Sequence, residues 1–245
     1  MSSKFCKTYK FADITVEAAY NYKFLDIQCK DYESNEAPQI HIDVYQEDVE
    51  RERNASEDGY KFPDGYLESL AFYRKLSERV AMEDILLFHC AAVEVGGKAY
   101  LFTAPSGTGK TTHIALWEKI HGDKMTIING DKPLLKVSEK VIVYGTPWDG
   151  KERQSTNTSA EVAGICILKR AADNRIKKIT PNEALATLMS QTYRPEGKEN
   201  LRKMLQNVVA LSTKVPLWLL ECNISEEAAR TSYNAMSKEN EQYET

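Results

Sequence analysis

The chain has 245 residues, 42% of them hydrophobic and 28% charged, enough to bury a substantial core as one domain with an appendage or as two small domains. Lysine plus arginine (32) nearly balances aspartate plus glutamate (36), and the formal net charge of −4 argues against broad nucleic-acid binding. No apolar segment follows the N-terminal Met1 to Cys6, and no stretch approaches the length that spans a bilayer, so no membrane partner and a cytoplasmic location are expected.

In chain order, the apolar run Tyr22 to Ile27 and the alternation Ile40-His41-Ile42-Asp43-Val44 read as strands with one buried face. The polar stretch from Gln46 to Gly59 has no period and reads as a loop or hairpin tip. Leu67, Leu70, Ala71, Tyr73, Leu76 and Val80 recur at three- and four-residue intervals, the spacing of one helix face. Ile85 to Val95 is an apolar strand-pair candidate, and Gly96-Gly97 is a two-residue hairpin signal before a strand over Lys98 to Thr103. A helix is expected from Lys110 to about His121, burying Ile114, Leu116, Trp117 and Ile120 and stopped by Gly122. Strands over 125–128, 134–137, 141–144, 162–168, 175–179 and 216–221 alternate with helices over 181–190 and 198–211, and a last helix starts near Ser225. A small β-rich region with its linking helix thus occupies 1–82, a core 83–240, and a frayed tail 241–245. The five cysteines, Cys6, Cys29, Cys90, Cys166 and Cys222, lack metal-ligand spacing and mostly sit in apolar runs, as buried reduced thiols do.

The strand that ends at Thr103 runs into Ala104-Pro105-Ser106-Gly107-Thr108-Gly109-Lys110-Thr111-Thr112, a phosphate-binding loop of the Walker A type. Backbone N–H groups of a small-residue loop opening onto a helix N-terminus converge on a polyphosphate. Gly107 and Gly109 permit backbone angles that a Cβ would block, Lys110 brings a point charge to the β and γ phosphates, and Thr111 offers a hydroxyl to Mg²⁺. Ser106 to Thr112 are therefore the candidate nucleotide-binding residues, with ATP or GTP as ligand. Asn129-Gly130-Asp131 puts a carboxylate at the end of the next strand, where phosphate-loop proteins hold a metal.

Phe88-His89-Cys90-Ala91-Ala92-Val93, with its histidine seventeen residues before Ser106, resembles the core of the HPr kinase/phosphorylase family. Asn129-Gly130-Asp131-Lys132 stands in the place of that family's acidic pair, and Gly145-Thr146-Pro147-Trp148 with Glu152 is similar to the loop of the shorter HPr-kinase-related proteins. The likeness spans roughly residues 85–170. It implies an α/β fold on a mixed or antiparallel sheet, a P-loop kinase core of the type shared with phosphoenolpyruvate carboxykinases, in which ATP and Mg²⁺ phosphorylate a serine hydroxyl. Lys132 departs from the pattern by replacing the second acid, which counts against a two-acid arrangement and against reverse phosphorolysis.

On this reading Asp131 is base or metal ligand, His89 orients Asp131 or meets phosphate, Lys110 neutralises charge, Glu152 meets metal or acceptor, and Thr111 with Asp131 holds Mg²⁺. The acceptor is a serine- or hydroxyl-bearing protein, peptide or metabolite, and a homo-oligomer is compatible with the family. Arg153, Arg170, Arg194, Lys198, Arg202 and Lys203 are cationic candidates for an anionic substrate, against an ordinary solvated surface. Two alternatives stay open: a carboxykinase-like small-metabolite kinase, and a non-catalytic module in which ATP gates the binding of a partner.

Overall fold

A computed structural model describes residues 4–55 and 58–241, with side chains of the last helix described to residue 237. The chain is mixed α/β and divides into two compact units, residues 1–83 and 84–245.

The first unit carries strands β1 (Phe5–Phe11), β2 (Ile14–Tyr20) and β3 (Ile40–Asp43), in the order β1-β2-β3. The β1-β2 pair is antiparallel and turns through Ala12 and Asp13, both at positive φ, whereas β2 and β3 are parallel. Three helices accompany them: α1 (Phe24–Gln28), α2 (Gln46–Ala55) and α3 (Asp64–Val80). Two expectations are corrected here. Tyr22 to Ile27 is no strand: it enters the short helix α1, which buries Leu25 and leaves Ile27 exposed. The polar stretch after Gln46 is helical as far as Ala55. It buries one apolar residue, Val49, and Arg74 from α3 reaches Asp48 at 3.1 Å and Glu52 at 2.6 Å. Charge pairing therefore anchors α2, which leaves no apolar period to read. Residues 56 and 57 of that stretch lie outside the described residues. With these helices the unit contains more helix than strand, and is not the β-rich region expected. On α3 the apolar face is as spaced: Leu67, Ala71, Tyr73, Leu76 and Val80 are all buried.

The second unit is built on a nine-stranded sheet. Its strands are β4 (Ile85–Leu87), β5 (Ala91–Val95), β6 (Lys98–Thr103), β7 (Met125–Asn129), β8 (Leu134–Val137), β9 (Val141–Tyr144), β10 (Ser159–Arg170), β11 (Arg175–Lys178) and β12 (Leu217–Cys222). The order is β4-β8-β9-β10-β6-β5-β7, with β12 also on β10 and β11 on β12. The long β10 organises it. Its start pairs with β9 antiparallel, its middle with β6 parallel, and its end with β12 parallel. Among the described residues the parallel pairings in this sheet are β6-β10 and β10-β12, and their carboxyl ends open on one edge, where α/β sheets take ligands. Gly96 and Gly97 make the β5-β6 turn at φ 64° and 79°, values costly for residues with a Cβ.

Helix α4 (Lys110–His121) stops at Gly122, whose φ is 54°. It packs with α7 (Glu226–Glu241) over one face of the sheet, where Phe102, Ile114, Trp117, Cys166, Leu220 and Ala229 share a core. Helices α5 (Pro181–Gln191) and α6 (Lys198–Lys214) belong to a second core with Leu86, Phe88, Leu101, Leu135, Ile165 and Leu217. Thr180 and Glu183 close a reciprocal cap on α5. α7 is helical to Glu241, and the rest of the expected frayed tail, 242–245, lies outside the described residues. Cys29, Cys90 and Cys166 are buried free thiols, while Cys6 is exposed and Cys222 half-buried. Among the described residues no helix is long and apolar enough to cross a membrane.

Candidate functional site

Strand β6 delivers the loop 104–109 to the amino end of α4. Gly107 and Gly109 hold φ values of 77° and 120°, and nothing lies within 4 Å of where a Cβ would point. The glycines are there for backbone conformation and close approach, not for want of room. Thr108 N–H donates to Pro105 C=O at 3.2 Å, and His113 N–H donates to Gly109 C=O at 2.9 Å, starting the helix. The first N–H groups of α4 have no intrahelical acceptors, and Ser106, Gly107, Thr111 and Thr112 are exposed beside them. From β10, Arg170 straps the loop: its guanidinium donates to Thr108 C=O at 3.0 Å and also to Gly107 C=O.

Lys110 is only 7% exposed, and its Nζ donates to Ala104 C=O at 3.0 Å. Burial pulls its ammonium below the usual lysine range, against the opposing pull of the Asp131 charge. Lys110 opens α4 and Asp131 follows β7, and the two are within electrostatic reach.

Asp131 is placed by a network that begins at Asn129, the last residue of β7 and fully buried. The Asn129 side-chain carbonyl accepts from the Asp131 N–H at 2.8 Å and the Lys132 N–H at 2.7 Å. Its amide donates to Thr146 C=O at 2.8 Å, and the Thr146 hydroxyl donates to Lys132 C=O at 2.8 Å. One amide therefore ties the 129–132 turn to the loop after β9. Gly130 N–H adds a bond to Gln154 C=O at 2.8 Å, and Thr156 N–H one to Ile128 C=O at 3.1 Å. Gly145 has to be glycine here, since a Cβ would fall 1.9 Å from Thr156 O.

His89 lies between β4 and β5, so the expected strand pair over 85–95 is interrupted at the candidate site. The interruption is pinned on both sides. Phe88 N–H donates to Pro133 C=O at 3.2 Å, Cys90 N–H to Asp131 C=O at 3.1 Å, and His89 N–H to Gln191 C=O at 2.7 Å. These bonds bring His89 Nε2 to 3.1 Å from Asp131 Oδ1 and His89 Nδ1 to 2.7 Å from Gln191 Oε1. An ionised carboxylate can only accept, so the Nε2–H donates to Asp131. Burial pushes the Asp131 carboxyl up, but the His89 bond and the charges of Lys132 and Lys110 outweigh it and hold it below the usual carboxylate range. Lys132 Nζ stands 3.8 Å from Asp131 Oδ2.

The structure thus gathers His89, Lys110 and Asp131. Glu152 is exposed in a turn, whereas Asp149 of the same loop is half-buried and feels the Asp131 charge. Burial raises the Asp149 carboxyl, the Asp131 charge adds to the effect, and the Ser155 hydroxyl donates to Asp149 Oδ2 at 2.9 Å. Asn129, Asp149, Ser155 and Gln191 were not singled out from sequence. Asn129 adjoins the chosen Asp131, but its work is done toward backbone, and Gln191 lies 102 residues from His89. Trp148 is 4% exposed and packs inside. Of the cationic candidates, Arg170 holds the loop and Lys203 pairs with Asp84 at 2.8 Å, while Arg153, Arg194, Lys198 and Arg202 are exposed. Among the described residues no three His, Cys, Asp or Glu side chains gather as a metal cluster.

Among solved structures the chain is similar to the Hpr(Ser) kinase/phosphatase from Coxiella burnetii, with 13% sequence identity and a TM-score of 0.35, over 64% of this chain and 96% of that one. No curated protein matches it. The family model described as "SynChlorMet cassette protein ScmC" matches residues 70–229, well over half of the chain, and the chain belongs to that family.

Proposed function

We propose that the chain is a phosphotransferase that binds ATP on the loop 104–112 and passes the γ-phosphoryl group to a hydroxyl, a serine hydroxyl of a protein, peptide or small molecule in the first instance. The observation that carries this reading is the His89–Asp131 pair, 3.1 Å apart, within electrostatic reach of the buried Lys110 at the mouth of that loop. The core would be a P-loop kinase core in the manner of the HPr kinases and carboxykinases.

In the transfer, the bond from the γ-phosphorus to the departing ADP oxygen breaks and a bond to the acceptor oxygen forms. The acceptor's proton passes to Asp131, which its neighbours keep ionised. His89 holds the carboxylate in position through Nε2 and is itself braced by Gln191. Lys110 and the α4 N-terminus meet phosphate charge, which is most of what protein has to supply in such a reaction. The Thr111 hydroxyl, and the Asp131 carboxylate if it serves as metal ligand in place of base, are hard oxygen donors that would suit Mg²⁺. When bound it would neutralise phosphate charge. Glu152 could assist only from the exposed turn it occupies.

One observation favours a second reading. Lys132 Nζ at 3.8 Å from Asp131 Oδ2 offsets the carboxylate's charge, as suits a non-catalytic module whose partner binding is gated by ATP. Incubation with Mg²⁺ and γ-labelled ATP in a size-fractionated extract, beside Lys110→Ala and Asp131→Asn, separates the two. Label reaching an acceptor only with the unsubstituted protein supports the kinase. ATP binding without transfer across all fractions supports the module.

A further inference from the structure

The turn after Trp148 folds back on the end of β7, and Gly130 sits between its two arms: a Cβ there would fall 3.3 Å from Asp149 O and 3.4 Å from Gln154 O. Gly130 N–H donates to Gln154 C=O at 2.8 Å, Thr156 N–H donates to Ile128 C=O at 3.1 Å, and Ser155 pairs with Asn129 as an isolated antiparallel bridge. Ser155 is thereby fixed beside the 129–131 turn, while Gly150 on the other arm lies against the Asp131 side chain. Across the turn the Ser155 hydroxyl donates to Asp149 Oδ2 at 2.9 Å. A half-buried serine hydroxyl thus stands next to the proposed transfer site with a carboxylate already aligned on its proton.

We propose that Ser155 is a phosphoryl acceptor within the chain itself, a modification site that regulates the site beside it; this rests on the reading of 104–112 as an ATP loop. In the step, the bond between the γ-phosphorus and the bridging oxygen breaks, and its electron pair leaves with ADP. A bond forms from Ser155 Oγ to that phosphorus, and the hydroxyl proton passes along the existing hydrogen bond to Asp149 Oδ2. Two observations choose Ser155 over Thr156, the next hydroxyl in the chain: Ser155 has the carboxylate partner, and it is half-buried where Thr156 is exposed. Asp149 and Lys110 both feel the Asp131 charge, so the acid that takes the proton and the lysine that meets the phosphates share one electrostatic neighbourhood. A phosphoserine carries about two negative charges at neutral pH. Set beside Asp149 and Asp131, it repels the next triphosphate, so transfer to Ser155 weakens the site's hold on its own substrate.

Incubation of the full chain with Mg²⁺ and γ-labelled ATP, with no other acceptor added, tests this when the label is mapped peptide by peptide and ATP binding is measured on the same protein by calorimetry. Label is expected on Ser155, at a rate per chain independent of protein concentration. Ser155→Ala should remove it and still bind ATP, and Thr156→Ala should leave it in place. Asp149→Asn should slow labelling about 100-fold with ATP affinity kept. The phosphorylated chain, separated from the unmodified one, should bind ATP about tenfold more weakly. ATP binding with no label on Ser155 overturns the assignment, a rate that rises with protein concentration overturns the within-chain route, and an unchanged ATP affinity overturns the regulatory role. Each of those outcomes leaves transfer to a foreign acceptor to the extract experiment. If ATP does not bind, the nucleotide reading of the loop fails, and this inference with it.

Discussion

Gly150 lies against Asp131: a Cβ at position 150 would fall 3.1 Å from Asp131 Cβ and 3.3 Å from Cγ. Gly150 also holds φ at 83°, so a side chain there is strained before it touches anything. Gly150→Ala should cost about 1–3 kcal/mol in denaturant unfolding and displace the carboxylate, lowering phosphoryl transfer more than ATP binding. Gly96→Ala is the control. Its φ of 64° carries similar strain with open space around it, so it should lose stability and keep transfer.

On the proposed function, the bond from His89 to Asp131 makes the histidine a positioning residue whose removal has a signed effect on pH dependence. Burial raises the Asp131 carboxyl and His89 is the largest influence lowering it, so His89→Leu should move that carboxyl upward. Transfer that needs ionised Asp131 would then be lost at higher pH on the acid side. The acid limb of the kcat profile should move up, with kcat at neutral pH down roughly 10- to 100-fold and ATP affinity nearly kept. An unmoved acid limb would mean that His89 acts elsewhere. For stability the sign is the depressed-carboxylate one: the Asp131 contribution is present above the ordinary aspartate range and fades as pH falls through its lowered value.

Lys110 is held where its charge is disfavoured by burial. A lysine with a depressed folded pKa costs stability wherever it stays charged, which on the proposed function is the cost at neutral pH of keeping a phosphate ligand ready. Lys110→Met keeps the volume and removes the charge. Its unfolding free energy should be unchanged or raised by about 0–2 kcal/mol while ATP binding is lost, measured by denaturant titration and calorimetry on the same protein. A strongly destabilised variant would show that the Asp131 attraction outweighs desolvation.

The parts of this fold legible from sequence are those whose signal is local. The β5-β6 hairpin shows in Gly96-Gly97 because a two-residue turn needs positive φ, and α4 shows its end in Gly122 for the same reason. α1 did not show, because Phe24, Leu25 and Ile27 look apolar while Leu25 alone is buried, and five residues hold no helical period. β1 and β2 passed unread because β2 is buried at all but one position and so lacks alternation. At the candidate site, His89, Lys110 and Asp131 stood out by type and spacing. Their braces did not: Gln191 reaches His89 across 102 positions, and Asn129 works on backbone N–H groups that no sequence displays.

His113, in the first turn of α4, is 3% exposed and stacks edge-on against Phe102 at 4.6 Å. Its Nε2 lies 3.1 Å from Ser232 Oγ, which also accepts from Trp117 Nε1 at 2.9 Å and donates to Ala229 C=O at 2.9 Å. With its proton committed to Ala229, the hydroxyl can only accept from the ring, so His113 carries a proton on Nε2. Burial pushes its pKa down to about 4 from an ordinary 6.5. The unfolded chain therefore takes up a proton near pH 6.5 that the folded chain refuses until about 4, and stability must fall as pH drops through that interval. The full effect is roughly 3 kcal/mol, complete below pH 4. Denaturant midpoints at pH 7 and pH 5 should separate for the natural protein and close up by the His113 share in His113→Leu. Because α4 and α7 meet at this cluster, a variant that keeps the full separation would place the acid sensitivity in the carboxylates, Asp131 first among them.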